Sequence, residues 1–165
     1  MKFPFYGILV LLGLAIAQVV YYFPLLPDTV ASHFNAAGQA NGASSKAAYF
    51  GLYFLVVAIA IGISLGLPNL LNLFPISIIN LPNKEYWLSD DNRHSSIAYL
   101  KQSFAWFGVI TLLLVIFAFQ LTFLANLDPA KSFPSVWFLV GLGAYLIAIV
   151  VWTVALYKRF GKPPA

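Results

Sequence analysis

Four long apolar runs constrain this chain more than any other feature of its sequence. They cover residues 5–23, 47–67, about 103–124 and 136–157, and none contains a charged side chain. A helix needs about 20 mostly apolar residues to cross a hydrocarbon core of about 30 Å. Each run must be helical, because lipid offers no hydrogen-bond partners to bare backbone groups. The sequence therefore predicts an all-α fold, with one integral membrane domain over residues 1–165 built as a four-helix bundle.

The low charge content supports a membrane location and excludes other classes of protein. Only 8% of the residues are charged and 61% are hydrophobic, whereas about 25% of the residues of a soluble domain are charged. The net charge of +4 does not indicate nucleic-acid binding, since the basic residues lie at the ends of the runs and form no stripe. The chain has no cysteine, which excludes disulfides and thiol chemistry.

The first run resembles a secretory signal peptide at its start. Ala15-Ile16-Ala17 has the small-residue pattern of a cleavage site, but the apolar run continues through Tyr21. We therefore expect an uncleaved first helix. Pro24 and Pro27 are expected to end it, because proline lacks the backbone donor that a helix interior needs.

The ends of the second and third helices carry their own signals. Ser44 or Ser45 is suited to cap the start of the second helix, and Pro68 is expected to end it. Ser89 is suited to cap the third helix, since two aspartates follow it and favour the positive end of the helix dipole. We expect the third helix to begin near residue 90 in water and then enter the membrane.

The distribution of basic residues predicts the orientation. Four spans place both termini and the middle loop on one side, with seven basic residues, and leave two on the other side. Basic residues favour the cytoplasmic side, so both termini are predicted to be cytoplasmic. The seven are Lys2, Lys84, Arg93, Lys101, Lys158, Arg159 and Lys162, and the two are Lys46 and Lys131.

Residues within the spans indicate packing rather than transport. Ala58, Gly62 and Gly66 recur at four-residue spacing, which is typical of close helix contacts but also of membrane helices in general. Gln18 and Gln120 are interpreted as partners in hydrogen bonds between helices. The spans hold no charge, which argues against a proton-coupled pump.

The polar connection at residues 26–46 is predicted to be an ordered outer loop between the first and second helices. Thr29 to Phe34 alternate as a short strand does. Turn signals follow at Asn35-Ala-Ala-Gly38 and at Asn41-Gly42. An ordered loop on the outer face is a candidate binding element.

His33 is the one candidate for chemistry in this loop. It pairs either with Asp28, as a dyad or weak metal site, or with a group of its own loop by hydrogen bonding, which we favour. A stable metal site usually needs three or four ligands, and His94 lies on the predicted opposite side. We predict no catalytic residue, no cofactor and no metal ligand.

Two polar stretches carry motifs, LPDTVASHFNAAGQANGASSK and one within INLPNKEYWLSDDNR. Together they resemble a known bacterial membrane family, domain of unknown function 1648, and the two motifs with the four spans cover most of the chain. One departure is Ala40-Asn41-Gly42-Ala43, where members often carry an acid and a tryptophan. The matching residues are Leu26, Pro27, His33, Phe34, Asn35, Gly38, Ser45 and Lys46 in the loop, and Pro82, Asn83, Tyr86, Trp87 and Leu88 in the middle segment.

The resemblance implies a location in the bacterial cytoplasmic membrane. Related domains occur in immunity proteins against a sporulation-delay toxin, joined to a further helical module, but the family supplies no activity. The candidate binding or structural residues are Asp28, His33, Phe34, Asn35, Gly38 and Lys46 in the outer loop, and Pro82, Asn83, Tyr86 and Trp87 in the cytoplasmic segment.

Three functions fit these observations. The first is a non-enzymatic binding, sensing or immunity-type module, whose outer loop binds a peptide or membrane protein while the helices contact the bilayer. The second is a structural or assembly subunit of a larger membrane complex. The third is a small transporter or membrane enzyme, which ranks last because convergent polar groups are lacking.

Overall fold

A computed structural model describes residues 2–71, 73–128 and 132–163. Four of its helices are long and apolar enough to cross a membrane, which confirms the predicted multi-pass bundle. Lys131, one of the two basic residues predicted on the outer side, lies outside the described residues. The long helices are α1 (Lys2–Leu25), α2 (Lys46–Ile61), α5 (Asp90–Leu127) and α6 (Ser135–Phe160), and α2 continues through a π-helical segment (Gly62–Gly66) into α3 (Leu67–Leu70).

The connections contain short elements. A hairpin of β1 (Thr29–Phe34) and β2 (Ala40–Ser45) joins α1 to α2, and the segment between α3 and α5 holds a 3-10 turn (Ile76–Ile78) and α4 (Lys84–Trp87). We call the end of the bundle that carries the hairpin the hairpin end, and the end that carries α4 and the chain termini the termini end.

Pro24 and Pro68 do not end their helices, contrary to the prediction. Pro24 lies within α1, where it removes one hydrogen bond in the last turn, and Leu26 N still donates to Tyr22 O at 3.0 Å. Pro68 lies in the first turn of α3. A first turn tolerates proline because its N–H has no helical partner there, and the preceding π-helical segment creates such a turn inside the span.

The third long helix forms the centre of the bundle. It packs against α1, α2, the π-helical segment and α6. Leu112 and Phe123 are fully buried on it, and Ile8 of α1 and Tyr53 of α2 join them in one apolar core. The start of α5 at Asp90 agrees with the prediction.

The small residues of the second span lie on a face that makes no close helix contact with the described residues. Ala58, Gly62 and Gly66 are exposed, and a Cβ atom added to either glycine meets nothing within 4 Å. Of the two alternatives that the spacing left open, the described residues therefore favour ordinary membrane-helix composition over a close contact. The close approach occurs instead at Ser64 and Gly108, where an added Cβ would lie 2.5 Å from the serine Cβ. The helical period places Ser64 on the buried face.

The hairpin adds a two-stranded antiparallel sheet to the all-α bundle. Thr29 pairs with Ser45 and Ala31 with Ala43, and the register then shifts so that His33 pairs with Gly42. The predicted strand over Thr29–Phe34 is confirmed, but the predicted turn at Asn41-Gly42 is wrong because both residues lie in β2. Gly42 fits this position since an added Cβ would lie 3.0 Å from the His33 Cβ.

Candidate functional site at the hairpin end

A buried asparagine of α5 fixes the first strand of the hairpin. Asn126 is 8% exposed, and its Oδ1 accepts a hydrogen bond from Ala31 N at 2.7 Å. Its Nδ2 donates to Ala31 O at 3.0 Å and to Thr122 O at 2.9 Å. The side-chain amide thus satisfies both backbone groups of Ala31, as a neighbouring strand would do.

The turn of the hairpin is fixed to the segment before α6. Asn35 N donates to Gln39 O at 2.9 Å, and Gly38 N donates to Asn35 O at 2.9 Å, which confirms the predicted turn at Asn35 to Gly38. Phe133 N donates to Gly38 O at 2.8 Å, and the Phe34 and Phe133 rings stack at 4.8 Å between centroids.

Glycine is required at position 38 of this contact. Its φ of +78° is strained for other residues. An added Cβ would also lie 2.5 Å from Phe133 O. The predicted site residues Phe34, Asn35 and Gly38 therefore act together to shape and hold the tip.

Lys46 joins the end of α1 to the start of α2. Its Nζ donates to Leu26 O at 3.0 Å, lies 3.3 Å from an Asp28 carboxylate oxygen and lies 5.1 Å from the centre of the Phe23 ring. The lysine side chain is 18% exposed, whereas that of Asp28 is fully exposed, so water screens the ion pair. The adjacent Ser45 hydroxyl accepts a bond from Ala48 N, which confirms the predicted cap.

His33 bonds within its own hairpin, as favoured above. Its Nδ1 lies 2.5 Å from Asn41 Oδ1 on the exposed surface. Asp28 is instead engaged by Lys46, so the two residues do not form the alternative dyad. Among the described residues, no group of three or more His, Cys, Asp or Glu side chains is placed to hold a metal ion.

A cavity of about 520 Å³ lies between the hairpin and the end of α5. Backbone and side-chain polar groups line it together with small apolar surfaces, and no charged side chain of the described residues contributes. The lining suits a neutral polar ligand, such as a segment of peptide backbone with small side chains. Its residues are Pro27, Thr29, Ala31, Phe34, Gly38, Gln39, Ala40, Ala125, Asn126 and Ser132.

Asn126 and Phe133 belong to this site, although the sequence alone does not predict them. Asn126 bonds to Ala31, which lies 95 residues earlier in the chain, and Phe133 bonds to Gly38, which lies about as far from it. No local sequence pattern therefore connects these residues. The one sequence feature that could have indicated Asn126 is its position as a single asparagine in the last turn of an apolar helix, four residues after Thr122. A lone amide at such a position is a reason to search for a backbone partner.

The predicted middle motif lies at the other end of the bundle. Trp87 Nε1 donates to Phe160 O at 2.9 Å, and Asn83 Nδ2 donates to Phe160 O and Gly161 O at 3.2 and 2.9 Å. Pro82 and Asn83 form the turn before α4, where Asn83 has a φ of +50°. These side chains bind the last carbonyl groups of α6, which would otherwise lack partners.

Aromatic contacts complete this motif. The Arg159 guanidinium carbon lies 4.3 Å from the Trp87 ring centre, and the Tyr86 and Phe160 rings contact Trp87 edge to face at 4.8 and 5.6 Å.

The start of α5 differs from the prediction in one detail. The Ser89 hydroxyl donates to Tyr86 O at 2.8 Å and makes no capping bond to the helix.

The predicted hydrogen bonds between helices are confirmed by one buried network. Gln18 Nε2 donates to Gln120 Oε1 at 2.8 Å and to Ile116 O at 3.2 Å. Tyr53 donates to Gln18 Oε1 at 2.6 Å, and Gln120 Nε2 donates to the Tyr22 hydroxyl at 2.5 Å. The network ties α1, α2 and α5 together beneath the hairpin.

The helices and their hairpin define a four-helix, multi-pass membrane protein with an ordered polar hairpin between its first two spans. Residues 8–57 match the family described as Domain of unknown function (DUF1648). The matched segment includes the hairpin and Lys46, whereas Trp87 and Asn126 lie outside it. No curated protein and no solved structure matches the chain.

Proposed function

We propose that this protein is a non-enzymatic membrane module that binds a peptide or a membrane-protein partner through its hairpin. The observation that carries the proposal is the cavity of about 520 Å³ under a hairpin that is held at its strand, its turn and its end. A preformed cavity lowers the entropic cost of binding, because the groups that line it are already ordered.

The placement of the polar groups supports binding over catalysis. His33 and Asp28 are engaged with Asn41 and Lys46, and neither lines the cavity. A general base has to reach the proton that it removes. A peptide, in contrast, needs hydrogen-bond partners and small apolar pockets, which Thr29, Gln39 and Phe34 offer.

The excess of basic residues at the termini end supports an orientation with both termini in the cytoplasm. The hairpin then faces the outside of a bacterial cytoplasmic membrane, as the family resemblance implies. An immunity-type role, in which the hairpin captures a toxic peptide, is one form of this function.

Photocrosslinking in native membranes tests the proposal. A photoreactive residue at Gln39, which lines the cavity, should crosslink a partner, and Ala40→Trp in the same chain should abolish most of that product by filling the cavity. Ala43→Trp is the matched control, since Ala43 is an exposed alanine of the same strand that does not line the cavity. Equal yields from both variants, or no product at all, would refute binding at this site.

A second candidate is a subunit of a larger membrane complex. Phe160 is the one fully buried residue of α6, and the face formed by Ala58, Gly62 and Gly66 lacks a partner in the described chain. Small residues allow close helix packing in lipid, so this face is suited to a neighbouring helix. Native mass spectrometry after gentle solubilisation distinguishes the candidates, because a subunit should retain its neighbours and a lone monomer would contradict this role.

A further inference from the structure

A second cavity, of about 300 Å³, opens between the helices at the termini end. Its apolar wall includes Leu65, Pro68 and Ala105, and its polar rim includes Asn69, Lys101 and Gln102. It therefore combines an apolar interior with a polar edge at the end of the spans, which is the arrangement that an amphiphilic molecule requires. It does not share a residue with the hairpin cavity.

Lys101 gives this cavity a charge that no described residue neutralises. Its side chain is half-buried, and its ammonium group makes no hydrogen bond or ion pair with any residue that the structure describes. The basic residue Arg93 on the same helix differs from Lys101, because its guanidinium group donates hydrogen bonds to the carbonyls of Leu71 and Phe74. A half-buried cation without a counter-ion favours an anionic ligand.

The backbone of the second span shapes one wall. Ser64 and Leu65 belong to the π-helical segment, and Pro68 and Asn69 belong to the short helix after it. The segment brings Ser64 against Gly108, and Ser64 donates its hydroxyl proton to Ala60 O at 2.5 Å. The wall is thus internally bonded, and π-helical turns of this kind recur at functional sites.

We propose that this cavity binds an anionic phospholipid, with the phosphate at Lys101 and the start of an acyl chain along Leu65, Pro68 and Ala105. The site is in contact with the bilayer that surrounds the spans, so the ligand reaches it from the leaflet at the termini end. The acyl chain distinguishes this ligand from free phosphate, because the apolar wall has no role in binding an inorganic ion.

Native mass spectrometry with added lipids tests this site. The full chain is released from micelles that contain equal amounts of dioleoyl phosphatidylglycerol and dioleoyl phosphatidylcholine, and the retained lipid is counted for each variant. The wild type should retain phosphatidylglycerol. Lys101→Gln should reduce that retention about fivefold, the effect typical of one basic residue near an anionic headgroup. Lys101→Arg should restore most of it.

Lys158→Gln is the matched control, since Lys158 is an exposed lysine at the same end that does not line the cavity. It should leave retention unchanged. Equal losses in the Lys101 and Lys158 variants would show general surface attraction and overturn the site. Equal retention of phosphatidylcholine would overturn the anionic preference, and full displacement of the lipid by glycerol phosphate would overturn the role of the acyl chain.

Discussion

The two ends of the bundle stabilise helix termini in different ways. At the hairpin end, the Lys46 ammonium binds the Leu26 carbonyl at the end of α1, and Asn126 binds the strand that follows. At the termini end, Asn83 and Trp87 bind the Phe160 carbonyl at the end of α6. Lys46, Asn83 and Trp87 satisfy carbonyl groups that a helix leaves open, whereas Asn126 satisfies backbone groups of a strand.

The surroundings of these bonds differ. Trp87 and Phe160 are 5% and 1% exposed, so the bonds at the termini end lie within an apolar cluster. The hairpin presents exposed residues such as His33 and Asn41 and leaves a cavity beneath it. The bonds around Trp87 therefore serve packing, whereas the bonds of the hairpin hold an accessible surface in a fixed position.

The largest expected effect is at the termini end. Trp87→Ala removes a buried ring, its bond to Phe160 O and its contact with Arg159, and should lower the free energy of unfolding by about 3–5 kcal/mol. Unfolding in mixed detergent micelles measures this change. Trp106→Ala is the control, because Trp106 is 45% exposed and should cost far less. Similar losses in the two variants would contradict the packing role of Trp87.

Removal of the buried side-chain amide of Asn126 should cause the next largest loss of stability, and this loss should be confined to the hairpin end. Asn126→Ala leaves both backbone groups of Ala31 without their partner, which should cost about 1–3 kcal/mol. Hydrogen exchange should accelerate over residues 29–34 and stay unchanged over residues 83–88. Asn80→Ala, at an exposed asparagine, should change neither segment. Faster exchange at both ends would show that the two ends are not independent.

A glycine substitution should separate the hairpin tip from the bundle. Gly38→Ala places a Cβ against Phe133 O at a φ of +78°, which should cost about 1–2 kcal/mol. Gly51→Ala is the control, since its added Cβ meets nothing within 4 Å. Tryptic cleavage of the folded protein should increase near residue 46 only in the Gly38 variant. Unchanged cleavage there would mean that the contact with Phe133 is not needed.

Lys46 should show the smallest measurable effect. Lys46→Gln removes the bond to Leu26 O and the contact with the Phe23 ring, which should lower stability by about 1 kcal/mol. Asp28→Asn should change stability too little to measure, because Asp28 is fully exposed. The same micelle titration compares the two variants. A larger loss from Asp28→Asn would show that the ion pair, and not the carbonyl contact, holds this junction.

The sequence predicted the features that depend on local pattern. Uncharged runs placed the four spans, Ser45 was one of two candidates for the second cap, and Ser89 with the following acids placed the start of α5. These predictions succeeded because each rests on one continuous stretch of the sequence and needs no distant partner.

Features that depend on distant partners escaped prediction. Asn126 and Ala31 are 95 residues apart, and Trp87 and Phe160 are 73 apart, so neither bond has a local signal. Pro68 was misjudged because the π-helical segment before it changes the hydrogen-bond register, and no residue type marks such a segment uniquely. The second strand was missed because Asn41-Gly42 has the composition of a turn, while its conformation is set by pairing with His33.

Hydrogen exchange of the wild-type protein in lipid nanodiscs tests whether the hairpin is held in place. The Ala31 amide donates to Asn126 and the Phe133 amide donates to Gly38. Both should therefore exchange at least about 100-fold more slowly than in an unstructured peptide. Exchange of both amides at the rate of an unstructured peptide would contradict a fixed hairpin and, with it, a preformed cavity.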